Sequence, residues 1–121
     1  MEYLYGNFSD NQIVYTAKSM HNEIHKLLLH EDPCVEQEIF SSQEDFENYF
    51  SKLLVRYGGL NELLGAPDQM VFFMSTLQAA FTESKRENFR FRLFRKLILD
   101  AHGYLRDMFG EVKENAEHQC L

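Results

Sequence analysis

Several of the usual handles on a protein are scarce in this 121-residue chain. Two cysteines cannot staple a disulfide-rich scaffold, and two prolines with six glycines exclude collagen and low-complexity linkers. There is no apolar run of about 18 residues or more, so no transmembrane helix is expected. The opening MEYLYGNFSD is not basic and no apolar stretch follows it, so no signal peptide is read there. No glycine-rich phosphate loop occurs, because Gly58-Gly59 is not followed by Lys and a hydroxyl residue. What remains is globular in character, with 45% apolar, 14% aromatic and 26% charged residues. That length and composition suit a single domain over 1–121, cytoplasmic, without cofactor or membrane association.

The apolar spacing is helical. Residues 1–8 read as an extended lead-in. Ser9 and Gln12 have capping-box spacing, and Phe8 and Ile13 are placed as a hydrophobic staple. Ile13, Ala17, Met20, Ile24, Leu27 and Leu28 then recur at steps of three and four, which predicts a helix from Asp10 to Leu29, stopped by Asp32-Pro33. Pro33 suits the start of a short helical segment ending near Phe40. Ser41 and Glu44 repeat the capping-box spacing ahead of Phe46, Tyr49, Phe50, Leu53, Leu54 and Tyr57. Gly58-Gly59 reads as a left-handed stop, with one further turn over Leu60–Leu64. Pro67-Asp68 opens a third helix ending near Ser84, whose MVFFM run is apolar on every side and is therefore expected at the centre of the core. A fourth helix carries Phe94, Leu97, Ile98, Ala101, Leu105 and Met108 and stops at Gly110, and 113–121 reads as a frayed tail. Four principal helices plus one or two short turns predict an all-α, compact, bundle-like domain.

The charge is divided. The net charge is −7, yet between Leu27 and Ser51 there is no Lys or Arg, while Glu31, Asp32, Glu36, Glu38, Glu44, Asp45 and Glu47 all fall there. Between Lys85 and Lys96 the balance reverses, with Lys85, Arg86, Arg90, Arg92, Arg95 and Lys96 against Glu87 alone. The acidic stretch is either a solvated face, helped at Glu44 and Asp45 by the helix macrodipole, or a surface for a basic protein partner, since a single-sign patch selects partners of opposite sign. On a helical wheel Lys85, Arg92, Arg95 and Lys96 share a polar side. They suit nucleic acid or an intersubunit contact in a homodimer, although the acidic chain as a whole opposes approach to DNA. Arg90 falls among apolar residues, so it needs an acid partner or a helix that begins after it.

Catalytic constellations are missing. His21 and His25 stand one turn apart and are the candidates for sharing a metal ion, but Asn22 holds the place that a zincin motif gives to Glu. His30, Asp32 and Cys34 lack the order and spacing of a zinc deaminase. Cys34 reads as a packing residue, and Cys120 lies too near the end for a built site. In size, acidity and lack of catalytic motifs the chain resembles the small accessory proteins of phages and mobile elements, anti-CRISPR proteins among them. That resemblance implies a non-catalytic inhibitor that covers the basic surface of a nucleic-acid-acting enzyme. The expectations are therefore a binding protein working through Glu31–Glu47, then a nucleic-acid-associated regulator working through 85–96, then a metal-dependent enzyme at His21 and His25.

Overall fold

A computed structural model describes residues 2–3, 6–7 and 9–110. Phe8 of the expected staple, Tyr5, Cys120 and the expected tail 113–121 lie outside the described residues. The lead-in contains two two-residue strands, β1 (Glu2–Tyr3) and β2 (Gly6–Asn7), paired antiparallel with Glu2 opposite Asn7 and Tyr3 opposite Gly6. Among the described residues everything else regular is helix, so the all-α class holds.

Helix α1 (Asp10–Glu31) begins at the expected capping box. Gln12 N–H donates to Ser9 Oγ at 3.2 Å, and Ser9 N–H donates to Gln12 Oε1 at 2.8 Å. The helix runs two residues past Leu29 and stops at Asp32, whose extended backbone is what a following proline requires. The short helix expected over 33–40 does not form. The Asp32 carboxylate accepts from Cys34 N–H at 2.9 Å, and its carbonyl accepts from Val35 N–H at 3.1 Å. This Asx turn competes with helix, and the connection stays irregular to Ser42.

Helix α2 (Gln43–Leu63) starts one residue later than the Ser41 spacing implied, because Ser42 is the cap and accepts from Asp45 N–H at 3.0 Å. Ser41 instead donates its hydroxyl to the Asp45 carboxylate. Gly58 and Gly59 do not stop the helix. Neither has positive φ, and the turn expected after them is a continuation of α2. Leu60 and Leu64 prolong the apolar face of Leu53 and Tyr57, and their packing outweighs the cost of about 1 kcal/mol per helical glycine. The left-handed exit comes later, at Gly65 (φ 80°) and Ala66 (φ 54°).

Helix α3 (Asp68–Ser84) ends where expected, but it is not surrounded. Met70 and Phe73 are buried, whereas Val71 and Phe72 keep 40% and 51% of their surface exposed, because a bundle helix gives one side to the core and the other to solvent. Helix α4 (Phe91–Phe109) is the most sharply amphipathic and ends at Gly110 (φ 84°).

The helices follow chain order around the bundle, and each packs on its neighbours. His30 meets Phe46, Phe50 meets Phe81, Tyr57 meets Phe73, and Phe72 meets Tyr104. These pairs make successive helices antiparallel. The C-termini of α1 and α3 and the N-termini of α2 and α4 therefore share one end. One core cluster joins all four helices through Ile24, Leu27, Phe46, Phe50, Leu53, Phe73, Leu77, Phe94, Ile98 and Leu105. Burial of each such large side chain contributes roughly 1.5–3 kcal/mol. Among the described residues no helix is long and apolar enough to cross a membrane.

Candidate functional site

The acidic residues collect along the α1–α2 edge of the shared end. Glu36, Glu38, Glu44 and Asp45 are exposed, and Glu31, Asp32 and Glu47 are half-buried. Their hydrogen bonds are local: Asp32 to Cys34 N–H, Asp45 to Ser41, and Glu47 from Gln43 at 3.4 Å. Among the described residues none of the seven is ion-paired to Lys or Arg. Burial raises the Glu31 pKa, and the neighbouring Glu47 carboxylate adds to this against the opposing influence of His30. Lys26 stands at the flank, its Nζ 5.1 Å from the ring centres of Phe40 and Tyr49.

The basic residues collect along the α3–α4 edge of the same end. Lys85, Arg92, Arg95 and Lys96 are all exposed, as their shared polar side implied. Lys85 Nζ lies 4.0 Å from the Phe81 ring centre, and Lys96 pairs with Asp100 at 2.8 Å. Arg90 satisfies both alternatives left by its position, since α4 begins after it and it has an acid partner. That partner is Glu83, a buried carboxylate at the end of α3. Glu83 accepts from Arg90 N–H at 2.8 Å and from Arg90 Nη2 at 3.1 Å, and Arg86 approaches it at 3.6 Å. The hydrogen bond with Arg90 is the main reason the Glu83 pKa is lowered. Glu83 thus serves the N-terminus of α4, which has no side-chain cap of its own. Arg92 and Arg95 have no acid partner, and no ion pair among the described residues joins the acidic stretch to the basic one.

The histidines are arranged differently from the sequence expectation. His21 and His25 both approach a third histidine, His102, which the sequence reading did not single out. The Nδ1 of His21 lies 2.6 Å from Nδ1 of His102, across the α1–α4 interface. The ring planes differ by 4° and the centroids are 4.9 Å apart, about the contact length plus two ring radii. The rings therefore meet edge to edge in one plane, joined by a single N–H···N hydrogen bond. His25 stands tilted at 6.4 Å from His102, and His25 Nδ1 and His102 Nε2 are buried without partners. Burial, followed by the positive charge of Arg106, lowers the His21 pKa to about 4. Burial, followed by His21, His25 and Arg106, lowers that of His102 to about 3. Burial also lowers the His25 pKa. Among the described residues no group of three or more His, Cys, Asp or Glu is placed to hold a metal ion. His30 lies against Phe46 and reaches Gln43 at 3.2 Å, and Cys34 is exposed rather than packed.

The sequence reading also missed an anchor between α1 and α2. Glu23 accepts from Tyr57 OH at 2.6 Å and from Arg56 Nη2 at 2.7 Å. Burial first, and the Glu23 hydrogen bond second, push the Tyr57 pKa far above its ordinary value. The triad borders an open cleft of about 330 Å³, also lined by Tyr15, Thr16 and Ser19. The three groups satisfy one another, which makes this a structural clasp. Comparison of the chain with protein-family models, with curated proteins and with solved structures finds no match.

Proposed function

We propose that this is a non-catalytic binding protein whose working surface is the acidic α1–α2 edge, docking on a basic protein surface of the kind that nucleic-acid-acting enzymes present. One observation carries the reading: seven carboxylates share one edge and none is ion-paired to Lys or Arg. An edge compensated by Lys or Arg would have much of its field cancelled. An uncompensated one projects a field that raises association rates with basic partners and excludes acidic ones. Inhibition would follow if the partner's basic surface is the one nucleic acid needs. The test is capture from host lysate with wild type and with Glu36→Lys/Glu44→Lys. The variant should lose a stoichiometric basic protein that wild type retains at low salt and releases at high salt, with unchanged helicity by circular dichroism. Equal capture by the variant would refute the surface.

A second reading rests on Arg92 and Arg95, exposed and without acid partners. It makes the α3–α4 edge a phosphate-binding surface, with affinity that falls steeply as salt rises. Absence of any shift with DNA or RNA at low salt would dispose of it.

A further inference from the structure

The two charged edges lie at the same end of the bundle and on opposite sides of it. Antiparallel succession brings the α1–α2 connection and the α3–α4 connection to one end, and chain order around the bundle sets them across the core from each other. The end is therefore dipolar across its width: Glu31, Asp32, Glu36, Glu38, Glu44, Asp45 and Glu47 on one side, and on the other Lys85, Arg86, Arg90, Arg92, Arg95 and Lys96 against Glu83, Glu87 and Asp100.

We propose that this end is also a self-complementary interface, so that the acidic edge, when no other basic surface occupies it, is covered by the basic edge of a second copy of this chain. The proposal rests on reading the acidic edge as a docking surface. A two-fold axis lying in the plane of the end, perpendicular to the acid-to-base direction, sets each copy's acidic edge on the other's basic edge. The contact is made twice and closes on itself, as an isologous dimer requires. An end of one sign would repel itself under the same operation.

Two further observations support this occupant. Arg92 and Arg95 lie in the first turns of α4, where the positive end of the helix disfavours cations and where no acidic residue stands in the first turn. Glu31, in the last turn of α1, opposes its own helix end in the converse way. Opposing carboxylates and guanidinium groups from a second copy relieve both. The same end also carries half-buried Val35, Ile39, Phe40, Phe89 and Phe91 in and beside the two connections, apolar contacts to sit inside a charged rim. The net charge of −7 opposes approach at long range, but beyond a Debye length of about 8 Å at physiological salt it is screened and the local pattern decides.

Sedimentation velocity of the full chain tests the proposal. Wild type should populate a dimer at about 0.15 M salt and dissociate at about 1 M, where the Debye length is about 3 Å. Glu36→Lys/Glu44→Lys alone and Arg92→Glu/Arg95→Glu alone should each self-associate at least about tenfold more weakly. An equimolar mixture of the two should restore the dimer, because the new lysines of one variant then face the new glutamates of the other, while the second contact keeps its native charges on both sides. Circular dichroism confirms that each variant is folded, and one that fails it is replaced by the Gln equivalents. Monomeric wild type at about 0.15 M salt, a dimer that ignores the variants, or a mixture that stays monomeric overturns the proposal. Loss of basic-protein capture by Glu36→Lys/Glu44→Lys with a monomeric wild type would leave the acidic edge standing as a docking surface and remove the second copy as its partner.

Discussion

Acid should destabilise this fold through one pair of side chains. His21 and His102 are buried and neutral, with pKa values near 4 and near 3 in the folded chain against about 6.5 when unfolded. The folded state thus binds fewer protons than the unfolded state over this range. Their contribution is complete above pH ~6.5 and is lost as pH falls below it. Each histidine then costs about 1.4 kcal/mol per pH unit, or about 2 kcal/mol at pH ~5. The pair costs about 4 kcal/mol if both protons must be refused. Uptake of one proton at the outer Nε2 of the donor ring leaves the Nδ1–H···Nδ1 bond intact, which sets the lower bound near 2 kcal/mol. Either value is a large share of the roughly 5–15 kcal/mol typical of a folded domain. The assay is urea unfolding followed by circular dichroism at pH ~7.5 and pH ~5. The midpoint should fall with the slope unchanged. His21→Leu/His102→Leu replaces both hydrogen-bonding partners by apolar groups, a nearly neutral exchange, and should remove most of the difference. His25 shifts in the same sense and Glu31 in the opposite one, so the double variant is the reference for what remains. Wild-type stability unchanged between the two pH values, or an equal loss in the double variant, would refute the reasoning.

Two other substitutions have definite signs. Tyr57→Phe removes the hydroxyl that donates to Glu23 at 2.6 Å from a buried site, and should cost about 1–2 kcal/mol in the same unfolding assay. Gly58→Ala and Gly59→Ala should each stabilise by up to about 1 kcal/mol, since both lie inside α2, lack positive φ, and a Cβ at either meets nothing within 4 Å. Destabilisation by these alanines would restore the helix stop that the glycine pair suggests.

The bundle was legible wherever the local signal and the packing agreed. The Ser9 capping box, the Asp32-Pro33 stop, the Ser84 end and the Gly110 end are each fixed by residues within one turn. Errors arose where tertiary packing overrode a local preference. Leu60 and Leu64 carry α2 through two glycines, and an Asx turn at Asp32 takes the place of a proline-started helix. Both charge clusters could be read, but that they share an end depends on helix order, which spacing does not give. His102 escaped notice although it is one turn from Ile98 and Leu105 on the buried face. That spacing was a usable signal, whereas its partner His21, eighty-one positions away, was not. Tyr57 was marked by its place on the apolar face of α2, but its pairing with Glu23 was not, because that pairing is a product of the α1–α2 crossing.

The residues that oppose their own surroundings separate into two kinds. Glu83 is a buried carboxylate, yet the fold uses it fully: it accepts from the backbone N–H where α4 starts and pairs with both Arg90 and Arg86. Gly58 and Gly59 weaken α2 locally, and the leucines beyond them offset the loss. In these cases a local rule is broken and the compensation is found within the molecule. Arg92 and Arg95 are of the other kind. They place positive charge at the positive end of α4 after Glu83 has already served that end, and they meet no carboxylate. The seven acids across the same end likewise meet no Lys or Arg. Conflicts left without compensation inside the molecule are what a surface made for another molecule would keep. In the dimer proposed above, the carboxylates of one chain face Arg92 and Arg95 of the other, and each set supplies the complement that the other lacks among the described residues.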